Sequence, residues 1–263
     1  MSARSCLFVI VACAALGTLV TAQAPPDFSG VYRPINAFGP AAGAGARAGA
    51  PPPAARPAPG QPLPPPTRTA PLSDGSRGRA ADAPQLTPEY LSKWQAISKA
   101  RIAGDTSSDN TARCLPPGMP AMMNMAYGME IMQTKDKITF FSELNDALRR
   151  VYLDGRKPTP ATLDDPTYAG YSIGHWEGDT LVIETVALRD NTYIEGFTPY
   201  SEKMTVRERI RLLPSGLLED RITVTDPIAL VKPWETVKTY RKATYPNDQL
   251  REFACAEGLE HAR

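Results

Sequence analysis

From about residue 126 onward, apolar side chains recur at every second position in short stretches, each closed by a turn-forming cluster. That period belongs to half-buried strands, and a domain built from them must bury one face of every strand. Tyr127–Thr134 and Lys137–Leu144 flank a turn at Lys135-Asp136, and Ala147–Asp154 runs into Asp154-Gly155. Tyr171–Trp176 and Thr180–Leu188 enclose Glu177-Gly178-Asp179, a hairpin signal; Met204–Leu213 and Leu217–Thr225 enclose Pro214-Ser215-Gly216, a second. Trp234–Ala243 adds a strand, and Pro25–Pro34, with Phe28, Val31 and Tyr32, adds one far upstream. About nine strands joined mostly by short turns predict a mainly β domain that closes on itself.

The expected architecture is an antiparallel up-and-down barrel, similar to the lipocalin-like group, with one N-terminal packing helix. The helix is predicted at 88–103: Thr87 to cap, Pro88 at the first helical position, Glu89 at the positive end of the dipole, and Gly104 to end it. Tyr90, Leu91, Trp94, Ile97 and Ile102 follow at helical spacing.

The organisation reads as residues 1–22 signal peptide, 23–36 first strand segment, 37–83 disordered, and 84–263 barrel domain. Arg4 precedes an apolar run from Cys6 to Val20, and Val20-Thr21-Ala22 supplies a small-x-small cleavage site. The run falls short of the ~20 residues of a membrane span. Lipidation at Cys13 is the alternative. Either way the chain is expected to be periplasmic or secreted. Residues 37–83 are mostly Ala, Gly, Pro and Arg, with nine prolines between 51 and 66. Such a segment buries too little apolar area to offset its ordering entropy.

Lys and Arg number 29 against 28 Asp and Glu, a net charge of +1. This balance argues against nucleic acid, which calls for a concentrated basic field. Of four cysteines, Cys6 and Cys13 lie in the signal, leaving Cys114 and Cys255. A pair in an oxidising compartment favours a disulfide joining the start of the folded domain to its end; two buried thiols are the alternative.

Several segments carry a resemblance: Asp27-Phe28-Ser29-Gly30-Val31-Tyr32, Arg113-Cys114-Leu115-Pro116, Arg149 to Gly155, Gly170 to Thr180, and Glu252 to Gly258. They are similar to a group of uncharacterised secreted bacterial proteins found in acidobacteria and proteobacteria. The resemblance implies export, a single domain and paired cysteines, and it brings no activity. The chain departs from that group at His175, where Arg or Lys is common.

No Gly-x-Ser-x-Gly elbow, phosphate-cradling glycine loop, dinucleotide fingerprint or His/Cys zinc spacing is present, so no cofactor and no metal are expected. Strand register supplies the candidates. Glu208 falls in step with Met204, Val206, Ile210 and Leu212, and Asp220 with Leu218, Ile222 and Val224. An inward carboxylate must be paired or neutralised, which makes each a candidate acid or base. Bridging by an interior Arg or Lys is the structural alternative. Tyr171, Ile173 and His175 share a face opposite Trp176, so His175 is read as inward beside Tyr171. Arg150 and Tyr152 share another face and suit an anionic or carbonyl group.

Six of the eight methionines lie between Met119 and Met132. The alternatives for them are packing, lining of an apolar pocket, or Cu(I) binding through Met122, Met123 and Met125. With few polar inward positions expected, the leading reading is a barrel binding a small, largely apolar molecule. Met129, Glu130, Tyr127, Arg150, Tyr171 and Trp176 are the candidate contacts. The other reading is a cofactor-independent isomerase, lyase or cyclase with Glu208 as base, His175 or Asp220 as partner and Tyr152 as hydrogen-bond donor.

Overall fold

A computed structural model describes residues 24–35, 83–124, 127–244, 249–253 and 255. The expected signal peptide, the Pro-rich segment up to residue 82, Met125 and the extreme C-terminus lie outside the described residues.

Nine strands close into one barrel in chain order. They are β1 (Gly30–Pro34), β2 (Met129–Gln133), β3 (Lys137–Ser142), β4 (Ala147–Tyr152), β5 (Tyr171–Glu177), β6 (Thr180–Val186), β7 (Thr205–Leu212), β8 (Leu218–Thr225) and β9 (Trp234–Lys242). β1 pairs with β9 through Tyr32↔Lys242, Arg33↔Arg241 and Pro34↔Tyr240, which shuts the ring. The tight turns fall where the sequence places them. Gly178 and Gly216 adopt φ of +63° and +80°, and Leu213 N–H bonds the Leu217 carbonyl at 2.8 Å.

One junction departs from the antiparallel expectation: β4 and β5 run parallel. The reason is parity. Strand direction must return to its starting sense around a closed ring, so antiparallel junctions come in even number. A ring of nine therefore contains at least one parallel junction. It falls at the connection 153–170, because a parallel neighbour needs a crossover along the barrel's length. That crossover carries the short helix α2 (Pro160–Leu163), capped by the Thr159 hydroxyl accepting from Thr162 N–H. At this seam only Val151↔Ser172 and Tyr152↔Ile173 are in register, against seven pairs between β5 and β6.

The helix α1 (Pro88–Ile102) lies where predicted. Thr87 does not cap it, however: its hydroxyl donates to the Ile228 carbonyl at 3.1 Å, tying the helix start to the β8–β9 loop. α1 buries Tyr90, Trp94 and Ser98 and leaves Leu91 exposed. Tyr90 and Trp94 join the same apolar core as Phe28, Tyr32, Ile131, Phe140, Ile183, Ile210 and Val224. Met119, Met122, Met123 and Met129 belong to it too, and Tyr240 Oη donates to the Met123 carbonyl at 2.5 Å. The methionine segment thus packs against the barrel interior, and Phe28 packs at a tilt of 56° against inward Trp176, with ring centroids 5.2 Å apart.

Cys114 and Cys255 are paired as a disulfide, their Cα atoms 5.6 Å apart across 141 positions of chain. No helix among the described residues is long and apolar enough to cross a membrane.

Candidate functional site

The sequence predicts few polar inward positions. Instead, a polar strip crosses the interior from β4 to β9. Its centre is Arg149, 1% exposed. β4 turns Ala147, Arg149 and Val151 inward and leaves Leu148 and Arg150 exposed. The Arg149 guanidinium donates from Nε to Ser172 Oγ (3.1 Å), from Nη1 to Glu208 Oε1 (2.8 Å), and from Nη2 to Thr185 Oγ1 (2.9 Å) and to Glu208 Oε2. Ser172 and Thr185 share a further hydrogen bond of 2.8 Å. A fork gripping both carboxylate oxygens is the strong form of such a pair. Burial of the two charges is tolerable because each is met by the other and by hydroxyls.

Glu208 and Asp220 face inward, as their registers predict, and both are fully buried. They differ in satisfaction. Both Glu208 oxygens are engaged by Arg149, whereas neither Asp220 oxygen has a hydrogen bond of ordinary geometry among the described residues. Asp220 stands opposite Ile210 on β7 and Lys238 on β9. The Lys238 ammonium is directed to Glu195 at 3.3 Å. Burial holds the Asp220 carboxyl well above the ordinary carboxylate range, and the charge of Glu208 pushes it further; Arg149 and Lys238 act against this. Burial thus favours the protonated form of Asp220, beside the Arg149–Glu208 ion pair. The Tyr240 phenol is likewise pushed up, by burial first and then by Asp220 and Glu208.

His175 does not face inward. Its side chain is 59% exposed and meets Glu177 at 3.3 Å. β5 turns Ser172, Gly174 and Trp176 inward instead, because Ser172 serves Arg149 and Trp176 packs on Phe28.

Outside the barrel wall, the seam opens into a groove of about 370 Å³. Its size falls within the ~300–1,000 Å³ typical of small-molecule sites. One wall is the outward face of β4, with Leu148, Arg150 and Tyr152; opposite lie Thr167 to Tyr171, and Pro116, Gly118 and Met122 form the floor. The Tyr152 and Tyr171 rings lie 5.4 Å apart, tilted by 33°. Arg156 covers Tyr152 at 4.1 Å and Arg189 lies over the Tyr168 ring at 5.0 Å. Met119 N–H bonds the Tyr168 carbonyl at 2.9 Å, joining floor to wall. Gly170 makes the turn into β5: its φ is +66°, and a Cβ there would lie 2.8 Å from the Val186 carbonyl oxygen.

The groove brings together three of the sequence candidates, Arg150, Tyr152 and Tyr171. The others lie apart from it. Met129 is buried in the core, Trp176 packs on Phe28, and Tyr127 meets Phe253 edge-on at 5.6 Å. Glu130 is half-buried on β2, opposite Val31 and Phe141. Sequence reasoning passed over Tyr168, Thr167, Leu148 and Gly118, and Arg149 in the interior. The described residues contain no cluster of three or more His, Cys, Asp or Glu suited to a metal ion.

No protein-family model matches the chain, and no curated protein is detectably similar to it in sequence.

Proposed function

We propose that this protein is an exported barrel that binds a small, largely apolar molecule in the groove along the β4–β5 seam. The observation that carries the reading is the groove itself: about 370 Å³ bordered by three tyrosines, apolar Leu148, Met122 and Pro116, and one guanidinium. Apolar walls with a few placed polar groups are what such ligands select. Position adds support, since the groove sits where the barrel wall has its fewest register pairs. Export rests on the N-terminal sequence and on the Cys114–Cys255 pair.

Native mass spectrometry of the full chain, purified from its own extracytoplasmic fraction without strong detergent, tests the reading. A retained organic mass is expected in the wild type and lost in Leu148→Trp, where an indole on an exposed wall position fills the groove. Retention of the same mass by that variant would remove the ligand from the seam.

A second reading, a cofactor-independent acid–base enzyme, draws on Asp220 as a protonated interior acid. It requires a substrate route to a fully buried group, and Arg149 already occupies Glu208. The groove therefore carries the assignment further.

A further inference from the structure

We infer that the seam groove selects an aromatic carboxylate, whose charge is met by Arg150 and whose ring lies against the tyrosine wall. The inference rests on the ligand-binding reading above and adds the chemical class of the ligand. Its starting point is a difference among neighbouring arginines. Arg149 is committed to Glu208, and Arg156 is bonded to Asp154 at 2.6 Å. Arg189 lies over Tyr168. The side chain of Arg150, exposed between Leu148 and Tyr152, has no hydrogen-bond, ion-pair or ring partner among the described residues.

The groove lining holds no Asp or Glu, so the charge of Arg150 is uncompensated there; Arg189 lies beside it over Tyr168, whereas the charge of Arg156 is met by Asp154. A cleft lined by one sign of charge with low-dielectric walls concentrates the opposite sign. A guanidinium fork matches a carboxylate in two parallel hydrogen bonds. The rest of the lining, with Tyr152 and Tyr171 in contact and Tyr168 nearby, offers edges and faces of rings, which favour a flat partner over a flexible chain. An aromatic acid meets both demands with one small molecule.

The test uses three probes on the full chain by calorimetry: 2-naphthoate, its neutral analogue 2-naphthalenemethanol, and decanoate. Wild-type protein is expected to bind 2-naphthoate in preference to the other two. Arg150→Gln, a change at an exposed and unpaired position, is expected to weaken 2-naphthoate by about tenfold or more while leaving 2-naphthalenemethanol within about twofold. Tyr171→Leu is expected to weaken 2-naphthoate and to spare decanoate. Equal affinity for the acid and the alcohol, or indifference of 2-naphthoate to Arg150→Gln, would overturn the carboxylate assignment. So would the absence of binding by all three probes. In each of those cases a copurified mass that disappears in Leu148→Trp would still hold the ligand at the seam, so the two readings fail separately.

Discussion

Replacing Asp220 by asparagine isolates the energetic consequence of a buried acid without an ordinary partner. Burial, and then the charge of Glu208, raise this carboxyl well above the ordinary range, so the folded protein keeps its proton to higher pH than the unfolded chain does. In the unfolded chain the same group titrates near ~3.9. Above that point the native state binds one proton that the unfolded state has lost. The slope of unfolding free energy with pH is therefore negative, about 1.4 kcal/mol per unit for this one group. Its favourable contribution is complete below the unfolded value and drains away as pH rises towards the folded one. Asparagine has the same shape, does not titrate, and presents an N–H where the acid presents an O–H. Asp220→Asn is thus expected to gain on the wild type as pH rises above the unfolded value, at up to about 1.4 kcal/mol per unit until the folded value is reached. Urea melts of both proteins between about pH 4 and pH 7, with the disulfide intact, measure the difference. A difference independent of pH, or a loss of stability growing with pH, would refute the argument and mean that Asp220 is ionised and held by Lys238 or Arg149.

Three further outcomes follow from the same architecture. Arg149→Met leaves Glu208 buried without its counter-charge and is expected to cost about 3–5 kcal/mol; an unfolding free energy from urea melts lowered by less than a third of that would mean the pair contributes little to the fold. Gly170→Ala forces a Cβ against the Val186 carbonyl at a positive φ. It is expected to cost about 2 kcal/mol or more, with faster amide exchange in Tyr171–Ile173, and wild-type exchange there would contradict the strain. Removing the disulfide by Cys114→Ala and Cys255→Ala is expected to lower stability by up to about 5 kcal/mol, the chain-entropy value for a closure of 141 positions. An unchanged melting temperature would show that the link constrains nothing.

Much of the barrel is legible in the sequence because β7, β8 and their turn are governed by local rules. Val206, Glu208 and Ile210 alternate, Leu218, Asp220 and Ile222 answer them, and Pro214-Ser215-Gly216 leaves one register. The seam is not legible, since it follows from counting strands and closing the ring together, which no single segment records. β4 reads equally well in two phases, Ala147/Arg149/Val151 or Leu148/Arg150/Tyr152. Only the need of the interior Glu208 for a cation selects the first. His175 reads as inward for a related reason, while the structure turns it outward. Ser172 and Gly174 look like an outer face until Arg149 fills the space beside them. Arg150 and Tyr171 are among the expected ligand contacts and Tyr152 is the expected catalytic donor, but Tyr171, expected to face inward with His175, lines the outer groove; Tyr168 and Gly118 join them only through the crossover and the Met119–Tyr168 bond.

The parallel seam also makes the ring a bracelet with a clasp. Seven of the other eight junctions join neighbours in the chain by antiparallel pairing, and β1 and β9 meet through three residue pairs. The clasp holds by two, so opening fluctuations of the wall concentrate there and the groove lies directly over them. A molecule that touches β4 on one side and Thr167–Tyr171 on the other bridges the two halves of the clasp. Its binding energy is then also fastening energy: occupancy tightens the whole barrel by mass action, and an empty groove leaves the barrel readiest to open.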